Sequence, residues 1–364
     1  MFGNNENVET GKPFLVTKDN HELLESDDGW YTELIINRRR RSWWDRSFSR
    51  MDSGSLRGSI FTILAASIGV GVLTLPYICR MTGLLISFIL TTFGMIVAFW
   101  GFHALIFSSE IFGSKRYLAI CKAAGGNSLG YLYQTAIYIQ QFGVILGCQI
   151  ISGSMISQSC ADFGLTQRIA FISSSWFDAL KVIIPTVFIS FPLCKQHNMT
   201  SLRYPSLIGV AAVIFAITLI IVHSFHAISF DRPFVWYRLD LNIFSACGIT
   251  FFAYQCLSAF FPVYYDLANP TLSRISKVVF RSVAIEYVLY LIVAACGYLS
   301  FLDDTLPIII NNQAVTPLFQ VLFNVARVMV YIKLAISIPI NFNPLKRSVY
   351  DFIYGDSAEL KEPQ

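Results

Sequence analysis

From residue 58 onward, long apolar blocks alternate with short polar gaps. The blocks predict membrane spans at about 58–78, 84–107, 129–157, 180–194, 205–224, 241–265, 278–301 and 316–340. Most approach the ~20 residues a helix needs to cross the hydrocarbon layer. The fourth is short and holds Pro185 and Pro192. Polar connections are expected over Ser108–Ser128, 158–178 and 225–240. Residues 1–55 read as a polar tail, acidic at first and basic at Arg38, Arg39, Arg40 and Arg41. A transmembrane domain fills 56–350, and a second short tail fills 351–364. With eight spans, both termini lie on the same side.

The first block is not a plain helix. Gly69, Gly71 and Pro76 fall in its second half. In a helix interior, glycine costs about 1 kcal/mol relative to alanine and proline about 3. Lipid cannot satisfy freed backbone groups, so a break persists only where it faces protein, water or a ligand. Two readings stay open here. One is a binding break of the kind found in transport proteins. The other is a Gly-rich seam that lets helices approach closely.

Composition narrows the class. Charged residues make up 14% of the chain and hydrophobic ones 54%, with 31 Phe. A soluble domain carries roughly a quarter charged residues, so the pattern is that of an all-α polytopic membrane protein. Placement of charge says more than the net +4. With the N-terminus in the cytosol, 17 basic residues flank the inner membrane ends and five the outer ends. That bias follows the positive-inside rule. The Arg cluster then sets orientation, with anionic-lipid binding as a second role, and Trp43 and Trp44 sit at the headgroups. No cleavable signal peptide is expected in 1–55. The eight cysteines mostly fall inside apolar blocks, Cys160 being the candidate for an outer loop. Neither an ectodomain disulfide nor zinc binding is expected. The sequon at Asn198 falls on the cytosolic side and is expected to stay unglycosylated.

Four stretches, in order, carry a resemblance. The first is Gly69-Val70-Gly71-Val72-Leu73-Thr74-Leu75-Pro76. The second is Phe191-Pro192-Leu193 followed by Ser201 to Leu207. The third runs from Phe252-Ala253-Tyr254-Gln255-Cys256 through Pro262 to Leu267 and Asn269-Pro270, closing with Gly297 to Phe301. The fourth is Pro339 and Pro344 ahead of Lys346 and Arg347. Over roughly 55–350 the chain resembles the amino acid/auxin permease family. That group includes sodium-coupled neutral, proton-coupled and vacuolar amino acid transporters.

The resemblance implies a LeuT-like inverted-repeat fold in which the first and sixth helices unwind at mid-membrane. It implies secondary active transport of an amino acid, with a proton or sodium as coupling ion and no cofactor or nucleic acid. The site is physically sensible. A half-helix N-terminus offers free amides and positive partial charge to a carboxylate, and unwound carbonyls suit a cation or the substrate ammonium. Ser67, Ile68, Gly69, Val70 and Gly71 would supply backbone groups, and Phe252, Ala253, Tyr254 and Gln255 would line the side-chain pocket. Ordinary packing is the other reading of the aromatics. The membrane would be the plasma membrane or a vacuolar or lysosomal one.

Three departures matter. Sodium-coupled members carry an Asn four residues before the first Gly of the motif, where this chain has Ala65. They carry a His after the Cys of the sixth helix, where this chain has Leu257. The family has about eleven spans against the eight read here. In sodium sites a hydroxyl of the eighth helix takes part, and Ser337 would supply it. Lys333 lies four residues earlier on the same helical face. Its ammonium would stand in for sodium in a proton-coupled cycle; the alternative is pairing or snorkelling. Glu286 is read as a carboxylate snorkelling to the near interface, and Arg327 as structural.

A non-transporting paralogue, acting as a sensor or as a structural subunit of a membrane complex, is the competing function. In that case a protein partner would cover the faces that missing helices leave bare. A chain cut short of the family's length is the third reading. No catalytic triad, metal set or phosphate loop points to an enzyme.

Overall fold

A computed structural model describes residues 55–163, 183, 191, 203–227, 233–267 and 270–354. The expected tail 1–55 apart from Ser55, nearly all of the expected span 180–194, the Asn198 sequon and the tail 355–364 lie outside them. Among the described residues the secondary structure is helical, without strands. Six helices among the described residues are long and apolar enough to cross a membrane, or seven if one bent pair counts as a single span.

The bent pair is the first block. Helix α1, Leu56–Ser67, starts where the Ser55 side chain accepts the Gly58 amide at 3.1 Å, satisfying one of the four orphan donors at a helix start. It stops at Ser67, and Gly69 is fully extended (φ −105°, ψ −157°). A short 3-10 turn, Val70–Thr74, leads into α2, Leu75–Thr82, at a bend of 51°. Pro76 therefore begins the second half and does not interrupt it. In the first turn its missing N–H would have no partner anyway. α2 ends at Gly83, whose φ of +85° favours glycine. A Cβ there would also lie 2.7 Å from the Tyr237 backbone. Residues 235–238 dock at this corner, with Leu84 N–H donating to the Val235 carbonyl and Arg238 N–H to that of Thr82.

Helix α3 is Leu84–Ile111 and α4 is Tyr117–Asp162. The polar stretch Ser108–Ser128 was expected to be a connection, yet α4 already begins inside it. Gly125 and Gly126 leave helical geometry there, Gly126 at φ +69°. The glycine pair absorbs a kink at low cost, so polar residues at the membrane end stay helical on both sides of it. Helix α5 is Arg203–Ala227.

The sixth block is also split. Helix α6, Asn242–Ala253, and helix α7, Phe260–Asp266, flank a non-helical Tyr254–Cys256 and a 3-10 turn at Leu257–Ala259. Helix α8 is Leu272–Phe301 and α9 is Pro317–Tyr354. α9 runs past the expected end near 340, through Pro339 and Pro344. Proline removes one helical hydrogen bond, but neighbours can re-satisfy the freed group in a membrane helix.

α8 is the central element and packs along α1, α2, α3 and α5, while α9 packs on α4 and α5. Small residues permit the closest approaches. A Cβ at Gly297 of α8 would fall 2.4 Å from the Pro76 ring. Large apolar side chains such as Trp100, Phe107, Ile139 and Phe142 point outward from α3 and α4. Such a surface suits lipid, where outward apolar side chains face a solvent as apolar as themselves.

Candidate functional site

The two interrupted helices meet. A Cβ built on Gly71 would lie 2.8 Å from Ala253 Cα, so backbone touches backbone where both helices break. The last carbonyls of a helix have no intrahelical partner, and here α8 supplies one. The buried Tyr290 hydroxyl sits 2.8 Å from the Ala253 carbonyl and 3.2 Å from the Ser67 carbonyl. One hydroxyl thus ties the C-terminal ends of α1 and α6 together. Nothing in the sequence singles out Tyr290, which sits among other aromatics of a continuous apolar helix.

Removing that hydroxyl gives a direct test. Tyr290→Phe keeps the ring and leaves the buried Ala253 carbonyl without its donor, while the Ser67 carbonyl keeps the Gly69 N–H. Orphaning a buried polar group costs about 1–3 kcal/mol. Denaturant unfolding in detergent micelles should register a loss in that range. Unchanged stability would show the hydroxyl to be idle.

The residues expected to form the site divide into two groups. Ser67, Ile68, Val70 and Gly71 are buried in the first break, with Gly69 half-buried beside them. Gly69 N–H donates to the Ser67 carbonyl at 2.6 Å, and the Ser67 hydroxyl donates to Leu64 at 3.2 Å. Phe252, Tyr254 and Gln255 instead line a pocket of about 410 Å³, together with Gly94 and Ala98 of α3 and Gln140 of α4. Ala253 connects the groups through Gly71. The pocket lining carries amides, a phenol and apolar surface, with no charged side chain. The Tyr254 ring packs 5.0 Å from Tyr290, and its hydroxyl is buried without a partner among the described residues. Gly94 makes room for it, since a Cβ there would lie 2.8 Å from the Tyr254 ring.

Lys333 of α9 reaches the first break. Its Nζ lies 3.6 Å from where a Gly69 Cβ would stand. Its stem passes over Gly209 of α5, where a Cβ would come within 2.7 Å of Lys333 Cγ. Gly209 was not singled out in the sequence, because a lone glycine in an apolar helix reads as a packing residue. The Ser337 hydroxyl is committed to the Lys333 carbonyl at 2.9 Å, which leaves its oxygen lone pairs as acceptors.

Glu286 corrects an expectation. A snorkelling carboxylate reaches water or headgroups. The Glu286 side chain is 0% exposed, and both its oxygens lack a hydrogen-bond partner among the described residues. It faces inward from α8 beside Tyr290 and Ser67. Hydropathy alone placed it near a membrane end; the depth of α1 along α8 places it at the core.

Residues 52–355 match the family described as "Transmembrane amino acid transporter protein". A putative amino acid transporter, AAT1, of Toxoplasma gondii is 28% identical over 312 residues, covering 85% of this chain and 42% of that protein. Amino acid transporter AVT6E of Arabidopsis thaliana is 26% identical over 383 residues, 98% of this chain and 78% of that protein. Vacuolar amino acid transporter 6 of Saccharomyces cerevisiae is 22% identical over 317 residues, 82% of this chain and 66% of that protein. The chain thus spans less than half of the first relative and about two thirds of the third. With its apolar helices and two breaks, the chain is a multi-pass membrane protein that belongs to the transmembrane amino acid transporter family.

Proposed function

We propose that this chain is a proton-coupled secondary active transporter of neutral amino acids, built on a LeuT-like inverted-repeat fold. The observation that carries the reading is the meeting of two broken helices at Gly71 and Ala253, with the Lys333 ammonium beside Gly69. The backbone of Ser67 to Gly71 would take the substrate carboxylate, and the pocket at Phe252, Tyr254 and Gln255 its side chain. An uncharged lining supports a neutral substrate. Ala65 offers no oxygen to sodium. In this reading Lys333 stands in the cation position and Ser337 fixes its backbone. The relatives support the amino acid class, and the vacuolar name of the yeast relative supports a vacuolar membrane; the bias of basic residues supports an N-terminus in the cytosol.

Reconstitution into proteoliposomes tests it. A mixed pool of labelled neutral amino acids is offered with pH and sodium gradients imposed separately. Uptake should follow the pH gradient, ignore sodium, and drop about tenfold or more in Lys333→Ala, the size of a lost interaction worth about 1.4 kcal/mol. Sodium-dependent uptake that survives Lys333→Ala would overturn the coupling. Absence of saturable uptake from well-folded protein would favour the sensor or structural-subunit reading.

A further inference from the structure

Glu286 plays no part in the reading above, and its surroundings are unusual. It is 0% exposed on α8, among the most deeply buried polar side chains of the described residues. Neither oxygen accepts or donates a hydrogen bond within the described residues. An ionised carboxylate left bare in a dry interior costs several kcal/mol. Intramembrane acids that persist despite such a cost usually mark an ion or proton pathway.

The position adds the second observation. α1 and α6 both end their hydrogen-bond ladders beside it, at Ser67 and Ala253. Helix C-termini carry negative partial charge, so a bare carboxylate there is opposed from two sides as well as from its own desolvation. A proton on the carboxyl removes that conflict.

The other titratable groups leave this role open. Tyr287 and Tyr290 flank Glu286 on α8, and the broken sixth helix brings Tyr254 and Cys256. All four are neutral donors or acceptors, not cations. Of the helices packed against α8, α1 carries Arg57, α2 Cys79 and Arg80, α3 His103 and Glu110, and α5 His223 and His226. None of these forms a hydrogen bond or ion pair with Glu286. Arg80 donates instead to the Thr305 carbonyl at 2.8 Å, and His103 bonds its own helix at the Phe99 carbonyl. His223 stacks on Phe301 at the far end of α8. Lys333 reaches the same turn at Gly69, and forms no ion pair with Glu286.

We propose that the Glu286 carboxyl, set between the broken ends of α1 and α6, binds and releases a coupled proton in each transport cycle. The proposal rests on the proton-coupled reading and assigns it a second group besides Lys333. The step is a plain proton transfer: an O–H bond forms on one carboxylate oxygen when the proton enters from one side, and breaks when it leaves to the other. Tyr290 carries the consequence to the helices. It lies one turn along α8 on the same face, and its single hydroxyl hydrogen serves the Ser67 and Ala253 carbonyls. With Glu286 protonated, that hydrogen stays on the carbonyls and the breaks are clamped. With Glu286 ionised, the carboxylate is the stronger acceptor. The hydroxyl turns to it, and the Ala253 carbonyl is freed while that of Ser67 keeps only the Gly69 N–H.

The test uses the full chain in proteoliposomes, with a labelled pool of neutral amino acids and a pH-sensitive dye in the lumen. Two modes are compared in wild type and Glu286→Gln: accumulation driven by a pH gradient, and amino acid counterflow without a gradient. Counterflow needs binding and the helix movements but no net proton movement, so it also reports folding. In Glu286→Gln, driven accumulation and the accompanying proton flux should fall at least tenfold while counterflow stays within twofold. Driven accumulation equal to wild type would overturn the proposal. So would loss of counterflow together with accumulation, which would assign Glu286 to folding or binding. Wild-type uptake that ignores the pH gradient would overturn the proton-coupled reading itself.

Discussion

Gly71→Ala is expected to abolish the proposed amino acid uptake. The added Cβ would lie 2.8 Å from Ala253 Cα and 3.1 Å from Ala253 Cβ. Carbon atoms pack best at about 3.5–4.0 Å. Relief therefore requires a shift of roughly 1 Å between the two broken helices. No flexible side chain can give way, because the atoms met are the backbone and the rigidly attached Cβ of Ala253. Ala253 is further held by the Tyr290 hydroxyl on its carbonyl. Misplacing reacting or binding groups by about 1 Å costs around 100-fold in rate, and uptake by Gly71→Ala should drop at least that far. Gly143→Ala on α4 is the control. A Cβ there meets nothing within 4 Å. Its uptake should stay within about threefold of wild type, less than 1 kcal/mol in barrier. Both are measured as uptake per mole of protein that elutes as a single species. Wild-type uptake by Gly71→Ala would show that the two breaks move apart freely.

The second large effect concerns folding. Arg327 is fully buried in α9 and knits three parts of the chain together. Its Nε donates to the Ile310 carbonyl at 2.7 Å, and one terminal nitrogen to the Asn312 carbonyl at 3.2 Å. The other donates to Asn324 Oδ1 at 2.6 Å and to the Asp162 carboxylate at the end of α4. Gln320 also donates to Asp162, at 2.6 Å. Arg327→Met keeps length and apolar stem but leaves the Asp162 carboxylate without its cation, held only by the neutral amides of Gln320 and Gln158. Breaking a buried pair from one side costs about 3–5 kcal/mol. Denaturant titration should show that loss, and Arg327→Met with Asp162→Asn should recover part of it, since the unpaired charge is gone. A single substitution costing under about 1 kcal/mol, or a double one costing the full sum of the singles, would show that the pair is not coupled.

The degree to which this protein could be read from its residues varies element by element. The helical blocks were legible because hydropathy is a local property of about twenty residues. The split first helix was legible for the same reason: Gly69 and Gly71 carry their backbone preference with them. The run Phe252 to Cys256 showed through a motif, and a non-helical Tyr254–Cys256 lies within it. α4 starts at Tyr117, ahead of the span expected from about 129, because polarity signals exposure more reliably than it signals coil.

The partnerships were not legible. Asp162 and Arg327 lie 165 residues apart, and nothing in either neighbourhood names the other. Gly209 shows its purpose only when Lys333 lies across it. Tyr290 is one of 17 tyrosines until its hydroxyl is found between two helix ends. Glu286 was assigned to an interface by its distance from the end of an apolar run, and it sits in the core. Residues alone settled that this chain is a bundle of membrane helices and pointed to Gly69 and Gly71 as either a break or a packing seam, since composition and glycine placement act over a few turns. Tertiary packing decided which groups meet at that break. Such contacts depend on how far α1, α6, α8 and α9 slide along one another, and no local pattern encodes that depth.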